Sequence, residues 1–84
     1  MTHTPHDLHA EFPDDGAALH ALKMNDAHFR RRADHYHDIN REIHRIEAEV
    51  EPASEARVED LKKRRLALLD EIAAMITATK GALA

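Results

Sequence analysis

Cysteine is absent from these 84 residues. That excludes disulfides and the thiolate ligands of structural zinc sites. A domain this small buries a small core, so it must be held by regular helix packing, a histidine-bound metal or self-association. Tryptophan is also absent, and Phe12, Phe29 and Tyr36 are the whole aromatic complement. Such a chain has no series of aromatic faces on which nucleic-acid bases could stack. The longest apolar stretch, Ile72-Ala73-Ala74-Met75-Ile76, is far shorter than the ~20 residues of a membrane-spanning helix. The first residues carry acids and histidines and no apolar run, which is not the pattern of a secretory signal. A cytoplasmic location is expected.

Helix breakers are equally scarce. The glycines are Gly16 and Gly81, the prolines Pro5, Pro13 and Pro52. Between Lys23 and Gly81 only Pro52 interrupts the chain, leaving two long segments rich in Ala, Leu, Glu, Arg and Lys, which favour helix. The first is predicted over 26–50, with Asn25 or Asp26 accepting from the free amides of its first turn. Phe29, Tyr36, Ile39, Ile43, Ile46 and Val50 recur at seven- and then three- and four-residue intervals, a heptad-like seam that Arg32 interrupts. The second is predicted over 54–79, with Ser54 as its cap. Val58, Leu61, Leu68, Ile72 and Met75 form its seam, with Arg65 inside it. A short connection at Glu51-Pro52-Ala53 makes the two helices antiparallel neighbours. Folding the seams together sets Leu61 near Ile43, Leu68 near Tyr36, Met75 near Phe29, and Arg65 near Ile39 and Asn40.

The fold class is therefore all-α, an antiparallel two-helix hairpin of coiled-coil type with short N-terminal helical pieces. Residues 1–24 form the N-terminal segment, 25–80 the hairpin and 81–84 a tail. Leu8 and Phe12 suggest one helical turn before Pro13, and Ala18, Leu19 and Leu22 a second short helix. Neither is long enough to be stable alone. The last helix has a second apolar row, Leu66, Leu69, Ala73 and Ile76, wider than one partner helix needs. The N-terminal pieces can cover this row, and so can another copy of the chain or a different protein; these readings are not exclusive.

The residues Phe29, Tyr36, Ile43 and Glu47, then Pro52, then Leu61-Lys62-Lys63 with Arg65-Leu66, Leu68 and Asp70-Glu71-Ile72 form a pattern that resembles the YdcH-like family of small bacterial proteins. His6-Asp7-Leu8, Glu11-Phe12-Pro13 and Leu19-His20-Ala21-Leu22 are similar to that family as well. The likeness runs to about Ile76. The family pattern usually has leucine where Arg32 stands and lysine where Leu69 stands. The resemblance implies a helical hairpin of uncharacterised function and brings no catalytic residue with it.

Three functional readings follow from the residues. The leading one is a small non-enzymatic interaction or scaffold protein, with no cofactor, self-associating as a dimer or four-helix assembly through Leu66, Leu69, Ala73 and Ile76. A two-helix hairpin has no deep concave pocket, which argues against an enzyme. The second reading is transition-metal binding by histidine. Eight histidines occur, and His6 and His9 share a face if the N-terminus is helical. Asp34, His37 and Asp38, and separately His44 and Glu47, also pair carboxylate with imidazole, the pattern of an acid–base site and equally of a solvated face. The third reading is a nucleic-acid or ribosome-associated protein that uses a basic band of Arg41, Arg45, Lys62, Lys63 and Arg64 on phosphates. The net charge of −4 and six acids between Glu47 and Asp60 oppose it.

Overall fold

A computed structural model of the protein describes residues 8–48 and 52–83. Regular structure among them is helical throughout, in the order α1 (Leu8–Glu11), α2 (Gly16–Asn25), α3 (Ala27–Glu47) and α4 (Glu55–Leu83). No helix among the described residues is long and apolar enough to cross a membrane.

The starts of both long helices are set by short polar side chains. The Phe29 amide donates to Asp26 Oδ1 at 3.0 Å, and the Arg57 amide donates to Ser54 Oγ at 3.2 Å. Asp26 rather than Asn25 is the cap of α3; Asn25 Nδ2 donates instead to the Ala21 carbonyl at 3.0 Å. α3 stops at Glu47, where the Ala48 amide still reaches the His44 carbonyl at 2.9 Å. Val50 and Glu51 lie outside the described residues, and Pro52 to Ser54 are non-helical.

α3 and α4 pack antiparallel. Their facing sides bury Phe29, Ala33, Tyr36, Ile39 and Ile43 against Leu61, Leu68 and Ile72. Each large side chain removed from water here is worth ~1.5–3 kcal/mol. The expected register holds at its polar point, where Arg65 Nη1 donates to Asn40 Oδ1 at 3.1 Å. Asn40 is only 3% exposed, so this contact satisfies a group whose isolation would be costly. On one edge of the hairpin, Arg57 pairs with Glu42 at 2.5 Å and Arg32 Nε lies 3.8 Å from Glu71.

The N-terminal pieces share this core. Leu8, Ala18, Leu19 and Leu22 are buried with Ile76, and Phe12 and Leu69 pack against the same cluster. The Phe12 amide closes α1 onto Leu8, and the Asp15 amide donates to the Phe12 carbonyl at 3.1 Å, turning the chain at Pro13. A single residue, Asp26, separates α2 from α3.

α4 continues through Gly81 to Leu83, so the tail expected at 81–84 is helical as far as it is described. A glycine inside a helix costs only about 1 kcal/mol relative to alanine. In the same turn Lys80 Nζ is held 2.9 Å from Asp15 Oδ1, tying the end of α4 to the start of α2. Asp15 and, secondarily, Asp14 raise the Lys80 pKa above its usual 10.5.

Candidate interaction surface

The second apolar row of α4 is divided by the fold. Ile76 is 3% exposed and belongs to the intrachain core, so it has no area left for a partner. Leu69 and Ala73 are half-buried, Leu69 against the core cluster. Leu66 is 60% exposed. The expected partner surface thus shrinks from four residues to the Leu66 end, because α2 covers the other end. Lys62 and Lys63 precede Leu66 by one turn and Asp70 follows it by one turn, all three exposed.

The basic band is interleaved with the protein's own carboxylates. Arg41 pairs with Asp38, Lys62 with Glu47 at 3.5 Å and Arg64 with Asp60 at 3.0 Å. Arg45 also has a partner. A phosphate would have to compete with these carboxylates, which removes much of the band's attraction for a polyanion. Lys63 is in no ion pair among the described residues.

The histidines are dispersed. His6 lies outside the described residues and His9 is exposed on α1. His37 is half-buried, with its ring edge-on to the fully buried Tyr36 at 5.7 Å between centroids. Among the described residues no three His, Asp or Glu side chains come together as a metal site. Packing does bring His9 to the same open cleft as Asp34 and His37. That cleft, of about 360 Å³, has a floor of Leu8, Leu19, Phe29 and Ala33 and a rim that includes Lys23 and Arg30. Arg30 Nη1 is engaged there with the Lys23 carbonyl at 2.9 Å. Sequence spacing could not reveal this cleft, since it exists only once α1 and α2 have docked on α3.

Residues 29–76 match a family described as a protein of unknown function, DUF465. The chain belongs to the DUF465 family. The match begins at Phe29 and ends at Ile76, both core residues at 3% exposure. It takes in almost all of α3, the turn and α4 to the point where α2 covers it. The DUF465 unit is thus the hairpin with its uncovered Leu66 flank, while α1 and α2 lie outside the matched residues. No curated protein and no solved structure matches the chain.

Proposed function

We propose that this DUF465 protein is a non-enzymatic interaction module whose hairpin self-associates through the uncovered flank of α4. The observation that carries the reading is Leu66, 60% exposed in the middle of the longest helix and adjoining half-buried Leu69. Sequestering one leucine is worth ~1.5–3 kcal/mol, and a symmetric contact would gain this twice. The DUF465 match falls on the hairpin, which supports a role for the hairpin surface, while the resemblance to YdcH-like proteins extends over the N-terminal helices as well. Neither contributes a catalytic residue. The carboxylate pairing of the basic band lowers the standing of a phosphate-binding role.

Sedimentation equilibrium of the full chain from about 10 μM to 1 mM tests the reading. The expected result is a reversible rise in mass with concentration, and loss of at least about tenfold in affinity for Leu66→Lys, a factor of ten being ~1.4 kcal/mol. A strictly monomeric protein across that range would overturn it. Leu66 is a better probe than Leu69, whose contact with the core would confound association with folding.

A further inference from the structure

We infer that two copies pair through antiparallel α4 helices, with the dyad passing between Leu66 and Ala67 and each Lys63 facing the partner's Asp70. This rests on the reading that the α4 flank joins copies of the chain. It adds the orientation and register of that contact.

Charge is the first argument. Lys63 lies three residues before Leu66, and Asp70 three residues after Ala67. About a dyad between Leu66 and Ala67, those two positions face each other, so the basic side of one helix meets the acidic side of the other twice. Both side chains are exposed, and neither takes part in an ion pair among the described residues. A parallel pairing would instead set lysine against lysine and aspartate against aspartate, which is repulsive.

Shape is the second argument and does not depend on charge. α2 packs beside the C-terminal half of α4, where Ile76 is buried and Lys80 holds Asp15. The N-terminal half carries no such cover among the described residues. Antiparallel helices set the thick end of each copy beside the thin end of the other, whereas parallel helices would bring the two thick ends together. At the centre, Leu66 meets the partner's Leu66 and Ala67, and the small exposed side chain of Ala67 permits close approach.

The test is sedimentation equilibrium on the full chain and four variants, Leu66→Glu, Lys63→Glu, Asp70→Lys and Lys63→Glu/Asp70→Lys, with far-UV circular dichroism confirming that each stays helical. Each single charge reversal should raise the dissociation constant about threefold to tenfold, because symmetry doubles the effect of an exposed pair. The double reversal should return it to within about twofold of the parent, since the facing charges are again opposite. High salt should weaken the parent and double variant alike. A double reversal that fails to recover, alongside dissociation by Leu66→Glu, would overturn the antiparallel register and leave self-association through Leu66 standing. A monomeric parent at every concentration would overturn both.

Discussion

Replacing Arg65 with methionine probes a polar pair in the hairpin seam. Methionine retains much of the apolar stem of arginine and removes the guanidinium that donates to Asn40 Oδ1 at 3.1 Å. Asn40 is 3% exposed, so water cannot replace that donor without the helices separating. A buried acceptor stripped of its donor costs ~1–3 kcal/mol. In a domain of this size each kcal/mol moves the melting temperature by about 4–8 °C, so Arg65→Met should melt roughly 5–20 °C below the parent. The change is read by thermal melts and urea unfolding at 222 nm, at one fixed protein concentration. Asn40→Leu and the double variant complete a cycle. Contact between the two side chains predicts a coupling of roughly 1–3 kcal/mol, since the second substitution removes the acceptor whose Arg65 donor the first has already taken away. Additivity within about 0.5 kcal/mol would show that the two side chains do not act as a pair. A methionine variant melting with the parent would refute the idea that Arg65 supports a buried amide.

Three further outcomes follow from other contacts. Arg32 Nε is shielded from water without a hydrogen bond, with Glu71 3.8 Å away; Arg32→Leu, the residue usual in the YdcH-like pattern, should stabilise by ~1 kcal/mol in urea unfolding, the lower end of what an unmet donor costs. A Cβ at Gly81 would meet nothing within 4 Å, so Gly81→Ala should stabilise by about 0.5 kcal/mol, at the low end of the Gly-to-Ala gain in a helix because the site is near a helix end. The Lys80 pKa is raised by its hydrogen bond and ion pair with Asp15. Its contribution to stability is fully present below its unfolded pKa and is lost as pH rises through the folded value, above the usual 10.5. Urea midpoints at pH 9 and pH 11.5 should therefore fall further for the parent than for Lys80→Met, and equal falls would contradict the assignment.

The hairpin was legible because its information is local and repeated. The three- and four-residue spacing marks the buried stripe of each helix, Asp26 and Ser54 mark the starts, and Pro52 prevents continuity. Arg65 could be matched to Asn40 from the register alone. The docking of α2 was not legible in the same way. Ala18, Leu19 and Leu22 show that a short helix has an apolar side, but periodicity does not say which flank of the hairpin receives it. That choice depends on Asp26 ending α2 within one residue of α3, and on Asp15 meeting Lys80 sixty-five positions away in the chain. The same long-range docking decides the candidate surface. Leu69, one of the second apolar row, is half-buried, and Ile76 is buried. His9 shares a three-residue spacing with His6, which lies outside the described residues, and the fold sets His9 at the same cleft as Asp34 and His37.

The exposure of Leu66 is a consequence of the length of α2. The cover of α4 is anchored at Lys80, where Asp15 binds, and α2 runs ten residues from Gly16 to Asn25. At 1.5 Å per residue, α2 is about 15 Å long. Leu66 lies fourteen residues before Lys80, about 21 Å along α4. Even laid parallel to α4, α2 would end short of Leu66, and Asp26 then commits the chain to α3. α1 does not make up the difference, because Leu8 lines the cleft beside Ala33 and His37 on the α3 side. A hydrophobic row longer than its cover leaves its far end open. In this chain that end is flanked by Lys63 on one side and Asp70 on the other, the arrangement that a second copy running the opposite way would complete.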